Sequence, residues 1–231
     1  MDVTLNYIDK GTGTPLILLH GNGENLDYFT AQTEYFSKKY RVIALDTRGH
    51  GKSERGTAPF TIRQFAEDLH DFMEAHDIPK AHILGFSDGG NIALCFALKY
   101  PHMVERLILN GANLDGSGVK TSIQLPIILG YRLASLFAKK SPQAKANAEM
   151  LGLMVNDPAL SPEQLHSLHI KTLVIVGTKD MIREKHTRLI QESLPDARLV
   201  LLPGSHFIAS ECPEAFNAAV AQFLEESFSG K

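Results

Sequence analysis

Three side chains of this sequence could share one chemistry: Ser87, Asp180 and His206. A serine hydroxyl is a weak nucleophile at its own pKa and needs an adjacent base. An imidazole titrating near neutrality can serve, provided a third group fixes its orientation. Ser87 stands in Gly85-Phe86-Ser87-Asp88-Gly89-Gly90, with an apolar run over 81–84 before it and a helix-forming run over 91–100 after it. The G-x-S-x-G spacing puts the serine on a sharp strand-to-helix turn, hydroxyl exposed, with the next backbone N–H groups directed at whatever it attacks. Glycines two before and two after relieve the turn of Cβ atoms. Of ten histidines, His206 follows an apolar run (198–202) in a glycine-bearing loop, Pro203-Gly204-Ser205-His206. His20 precedes the Gly21 turn and reads as a buttress of its loop; His50 lies in a turn-rich loop. The other seven fall on helix faces or strand starts and read as structural or solvated. Asp180 closes Gly177-Thr178-Lys179-Asp180 after the apolar run 171–176. Its plainer reading is a turn or N-cap aspartate. Asp115 is its rival as the orienting acid, and Asp46 suits a loop-stabilising role.

The elements that must position these groups alternate in type. Apolar runs at 16–19, 41–45, 81–84, 104–109, 171–176 and 198–202 suit buried strands, and alternation over 3–8 suits a half-exposed edge strand. Helical patterns are expected over 29–40, after the Thr61–Gln64 capping box, over 91–100 up to Pro101, and over 213–228. Strands alternating with helices predict an α/β fold: a mostly parallel, doubly wound sheet of about seven strands with helices on both faces. Ligands in such sheets bind at the carboxyl ends of the strands. The polar loops at His20-Gly21-Asn22-Gly23, Asp46-Thr47-Arg48, Ser87, Asp180 and His206 all follow strands, so they converge on one edge. Residues 113–169 break the alternation, with helical patterns over 123–139 and 143–155 and a third helix capped at Ser161 with Gln164. The expected organisation is a core of 1–112 and 170–231 with a small helical lid, 113–169, inserted between strands. Ile127, Ile128, Leu129, Leu133, Leu136 and Phe137 are expected to pack the lid down or line a pocket.

With 231 residues, 44% apolar and 21% charged, the chain suits one soluble globular domain. A net charge of −3 points away from nucleic acid and from an anionic membrane. The start, Met1-Asp2-Val3-Thr4-Leu5-Asn6, lacks the basic and apolar regions of a signal peptide. Cys95 and Cys212 form no C-x-x-C pair, so a reduced, cytoplasmic setting is expected. Two nucleotide-binding leads fail. Gly51-Lys52-Ser53 has Asp46 where a P-loop needs glycine, and Leu16 takes the third glycine's place in the G-x-G-x-x-G frame of Gly11 and Gly13. His166 and His169 have no partner ligands nearby in sequence. No cofactor and no metal are expected, and the expected partner is a small-molecule substrate, with the chain a monomer or homodimer.

Five segments in order, Leu18-Leu19-His20-Gly21-Asn22-Gly23, Asp46 to Ser53, Gly85 to Gly90, Gly177 to Asp180 and Gly204-Ser205-His206, resemble the α/β-hydrolase fold family over essentially the whole chain. The closest branch is the small, lid-bearing esterase and peptidase-like one. The order Ser87, Asp180, His206 is that family's order of nucleophile, acid and base. The resemblance implies an oxyanion hole from the N–H groups of Asn22 and Asp88, and a structural role for the loop 46–53. It implies a serine hydrolase acting on a small carboxylic ester or related acyl compound through an acyl-enzyme. Triad-bearing ligand receptors of this fold, and carbon–carbon hydrolases, lyases or perhydrolases, use the same residues. A serine at the elbow sets the chain apart from dehalogenases and epoxide hydrolases of the fold, which carry aspartate there. Asp88 follows the nucleophile where many relatives have Met or Gln. Either it is an acid favoured at a helix N-terminus, or its carboxylate attracts a cationic substrate. The Ser-Asp-Gly-Gly run, with Gly111-Ala112-Asn113, is similar to hydrolases of α-amino acid esters, the valacyclovir hydrolase type.

Overall fold

A computed structural model describes residues 2–226. Seven strands form one sheet in the order β1-β3-β2-β4-β5-β6-β7. They are β1 Tyr7–Lys10, β2 Pro15–Leu19, β3 Arg41–Leu45, β4 Ala81–Phe86, β5 Val104–Asn110, β6 Thr172–Gly177 and β7 Ala197–Leu202. Only β1 runs antiparallel, against β3; the other five pairings are parallel. Because side chains alternate across a strand, each continuous apolar run feeds two cores. Ile17, Leu19, Ile83, Leu107, Leu109 and Val174 join one layer, with α2 (Ile62–Ala75) and α3 (Asp88–Lys99). Leu16, Leu18, Leu84, Phe86, Ile108 and Ile175 join the other, with α1 (Thr30–Phe36) and a closing helix, α9 (Pro213–Glu225). Between β5 and β6 the chain forms α4 (Thr121–Phe137), α5 (Pro142–Asn156) and α6 (Pro162–Leu165); α7 (Glu184–Ser193) and α8 (Ile208–Glu211) follow β6 and β7. Among the described residues no helix is long and apolar enough to cross a membrane.

Several local expectations change. The edge strand lies at 7–10, not 3–8: Val3 and Leu5 are buried in the core, and the ladder begins where Tyr7 meets Leu45. The helix expected over 29–40 is a 3-10 turn, Leu26–Phe29, capped by the Asn25 side chain, followed by the shorter α1. Thr61 Oγ1 accepts from Gln64 N, but the Gln64 amide bonds Asp68 rather than closing the capping box. The Ser161–Gln164 box closes fully. The closing helix ends at Glu225, and Phe228 lies outside the described residues. Leu129, Leu133, Leu136 and Phe137 neither pack down nor line a pocket; each is more than half exposed. The reason is that α4 lies against α5 rather than the sheet, so only one face is covered. Ile128 does border an open groove of about 520 Å³ with Leu125, Val119 and Val155.

Candidate active site

The strand order creates the crevice. From β2 the chain passes to β3 on one side, then crosses back to β4 on the other, so the loops leaving β2 and β4 diverge at a topological switch point. The β2 loop carries Asn22 and the β4 loop carries Ser87. Leu19 pairs with Gly85, which places the two loops side by side.

Ser87 is held at φ 53° and ψ −119°, a conformation costing about 1–3 kcal/mol in a non-glycine residue. Its N–H donates to Asn110 O at 2.8 Å, and its carbonyl accepts from Gly90 and Asn91 at 2.9 and 3.1 Å. The flanking glycines are required by approach distance. A Cβ on Gly85 would lie 2.2 Å from Gly89 O, and one on Gly89 would lie 2.0 Å from Leu19 O. The start of α3 is therefore pressed against β4 and β2, and Ser87 is pushed out at the edge, half-buried.

His206 and Asp180 come together from the last two strands. Thr178 N donates to Leu202 O and Lys179 N to Gly204 O, both at 2.9 Å, which ties the two loops into one unit. A Cβ on Gly177 would sit 1.9 Å from Ser205 O, so only glycine permits this approach. His206 Nδ1 and Asp180 Oδ1 are 2.7 Å apart, and both residues are buried. Asp180 Oδ1 also accepts from Ile182 N at 2.8 Å. An ionised carboxylate can only accept, so Nδ1 carries the proton and Nε2 presents its lone pair. That Nε2 is buried without a hydrogen-bond partner, as is Asp180 Oδ2. The ring of Phe86, beside the serine, is 4.8 Å from the imidazole, and Phe86 stacks on Tyr28 at 4.3 Å. Gly111, at the end of β5, leaves room for the imidazole: a Cβ there would lie 2.6 Å from its Cε1. Asp115 is elsewhere engaged, accepting from Ser117 N at 2.6 Å to cap a short turn.

A backbone device orients Asn22. His20 Nε2 accepts from the Thr47 N–H at 3.0 Å, so its proton is on Nδ1 and is donated to Gly21 O at 2.7 Å. That carbonyl belongs to the same peptide as the Asn22 N–H, which in a trans unit points the opposite way. Burial pushes His20 down to about 4, so it stays neutral in this role. The Asn22 side chain donates to Met150 O of α5 at 2.8 Å, linking the helical insert to this loop. Arg55 adds a second tie through both carboxylate oxygens of Glu149, at 2.9 and 2.6 Å.

Asp88 is buried. Its Oδ1 accepts from Asn91 Nδ2 at 3.2 Å, and the Asn91 amide continues to Asn113. Its Oδ2 has no partner. Burial, with the nearby Asp157 charge as a second cause, pushes the Asp88 carboxyl up to about 7. Sequence reasoning missed Asp157 and Glu24. The Glu24 carboxylate accepts from Gly21 N at 3.3 Å, within electrostatic reach of His206, and burial raises its pKa. Neither had a local signal: one is a loop acid, the other a residue at a helix end, and only folding brings them here. Among the described residues no group of three or more His, Cys, Asp or Glu could hold a metal ion.

The five expected residues, Asn22, Ser87, Asp88, Asp180 and His206, thus lie at one sheet edge. Known proteins resemble the chain in sequence and fold. A 3-oxoadipate enol-lactonase 2 of Acinetobacter baylyi is 29% identical, with 97% of this chain and 94% of the relative covered. An enol-lactonase from Burkholderia xenovorans LB400 superposes with a TM-score of 0.78 at 25% identity, covering 96% of each chain. A meta-cleavage product hydrolase from Pseudomonas fluorescens IP01 gives a TM-score of 0.79 at 26% identity, covering 96% and 94%. The family model described as the alpha/beta hydrolase fold matches residues 14–138, and with the elbow, strand order and loop placement above, the chain belongs to the α/β-hydrolase fold family.

Proposed function

We propose that the protein is a serine hydrolase that cleaves a small carboxylic ester through an acyl-enzyme. One observation carries the reading: the His206 imidazole, its Nδ1 committed to Asp180, keeps a buried Nε2 without a partner and lies 4.8 Å from the ring of Phe86, the residue before the strained elbow serine. In this mechanism Nε2 takes the Ser87 proton as Oγ attacks the acyl carbon. Asp180 holds the tautomer and stabilises the imidazolium. The N–H groups of Asn22 and Asp88 receive the oxyanion, each worth about 3 kcal/mol at the transition state. His206 returns the proton to the leaving alcohol, then activates water for deacylation. Helices α4 and α5 form a lid, tied down at Asn22–Met150 and Arg55–Glu149. The substrate is a small molecule and the setting cytoplasmic, consistent with Cys95 and Cys212 as free thiols.

The surroundings of the serine support a substrate bearing a cationic group on its acyl part, as in α-amino acid esters. Asp88, Asp157 and Glu24 are carboxyl groups with raised pKa values, and Asp88 Oδ2 has no protein partner, so a bound cation would be the group that holds its carboxylate ionised. The experiment is steady-state turnover of p-nitrophenyl esters, with and without an α-amino group, alongside a lactone and a meta-cleavage product. An alkyl phosphonate should label the Ser87 peptide in stoichiometric amount, read by mass spectrometry. A single stoichiometric burst with no further turnover would make the protein a receptor and end the enzymatic reading.

A further inference from the structure

Helix α4 is predominantly apolar on both its faces, with Arg132 as its one charged residue, a composition that belongs to a covered helix. Its inner face lies on α5: Gln124 donates to Met154 O, and Gly152 packs beside Tyr131. Its outer face is left in solvent. Leu125, Leu129, Leu133 and Leu136 are 53%, 56%, 60% and 74% exposed, and Phe137 51%. The spacing i, i+4, i+8, i+11 places the four leucines on one stripe. A contiguous exposed apolar patch of this kind marks an interaction surface.

The charge around the stripe says what covers it. From 120 to 148 the chain carries Lys120, Arg132, Lys139, Lys140 and Lys145 and no acidic residue, although the whole chain is −3. Arg132 lies seven residues after Leu125, on the same face, and Lys139 and Lys140 follow the last turn; these three and Lys145 are exposed. A second copy of the chain would bring two positively charged surfaces together. An anionic lipid surface matches both features, with leucines entering the acyl boundary and long basic side chains reaching the headgroups. We infer that α4 is a membrane-surface helix, docking the protein on an anionic leaflet through Leu125, Leu129, Leu133 and Leu136 with Arg132, Lys139 and Lys140 as headgroup ligands. The modest net charge, which points away from such a partner, averages over this segregation. Helix α5 joins this face to the Asn22 loop, so docking brings the mouth of the candidate site to the interface. The inference rests on the surface alone and stands whether or not Ser87 is a nucleophile.

The test is co-sedimentation of the full chain with vesicles of phosphatidylcholine alone and of phosphatidylcholine and phosphatidylglycerol in equal parts. Binding is expected only to the anionic vesicles and is expected to weaken with added salt. Lys139→Gln with Lys140→Gln should lower the partition coefficient by about twenty-fivefold, each charge contributing about fivefold. Leu129→Ser with Leu133→Ser should lower it at least tenfold, with unchanged circular dichroism. No binding to anionic vesicles, or binding insensitive to both pairs, overturns the inference. So does sedimentation equilibrium showing a dimer that Leu129→Ser with Leu133→Ser dissolves, which would assign the face to a second copy.

Discussion

Two polar regions at the same sheet edge differ in how their buried groups are used. In the loop after β3, Asp46 accepts from Leu26 N, Asn6 Nδ2 and Lys52 N. Fully buried Arg48 is held by both oxygens of Asp68, by Asp2 and by the Arg55 carbonyl. Apart from His50 Nε2, the buried side-chain polar atoms of this loop are paired. In the loops after β2, β4, β6 and β7, Asn22 Oδ1, Asp88 Oδ2, Asp180 Oδ2 and His206 Nε2 are buried without partners. Unsatisfied buried groups cost about 1–3 kcal/mol each. On the proposed function these four atoms are capacity reserved for a ligand, whereas the satisfied loop fixes the edge from which they project.

The sharpest way to break this contrast is at the serine. Ser87→Ala is expected to lose at least ~10⁴-fold in ester turnover with thermal unfolding unchanged; a variant within tenfold of wild type would remove Ser87 from the mechanism. The converse holds across the crevice. Arg48→Ala leaves Asp68 buried without its cation and should cost about 3–5 kcal/mol in denaturant unfolding, with turnover per folded molecule largely retained. A stable variant with impaired chemistry would reverse the roles assigned to the two loops.

Asp88 gives a pH-dependent effect. Its folded-state carboxyl titrates at about 7, above its ordinary 3.8. The fold therefore favours the protonated form; that stability is complete below about pH 4 and is lost as pH rises through 7. Asp88→Asn should be more stable than wild type at about pH 8 by on the order of 2–4 kcal/mol and indistinguishable at about pH 4. It should also abolish any preference for aminoacyl over plain acyl esters. If that preference survives, the carboxylate does not select the substrate. The smallest effect is expected at Asn22→Ala, which keeps the backbone N–H but removes the bond to Met150 O. A loss of about tenfold or less is expected, mostly in KM.

The elbow, the loop order and the six parallel strands were legible because their signals are local. A glycine pair around a serine, apolar runs of five or six residues and turn residues after each run act within a few positions. Ser87, Asp180 and His206 could be proposed for the same reason, whereas the oxyanion role of Asn22 and Asp88 came from the family resemblance. The register of β1 was not legible, since Val3 and Leu5 alternate as a strand would but are buried beside α2, while the unpatterned Tyr7–Lys10 finds the free edge of β3.

What the sequence determined by itself was the parallel α/β architecture and the candidate Ser, Asp and His in their order, because each rests on short-range periodicity and turn chemistry. The tertiary structure decided that Asp180 lies against His206 while Asp115 caps a turn, and it alone decided that Asp157 acts on Asp88, that Glu24 lies within electrostatic reach of His206, and that the leucines of α4 face outward. The first three are interactions between residues from 26 to 182 positions apart, and no local pattern encodes which face of a helix apolar on both faces finds a partner.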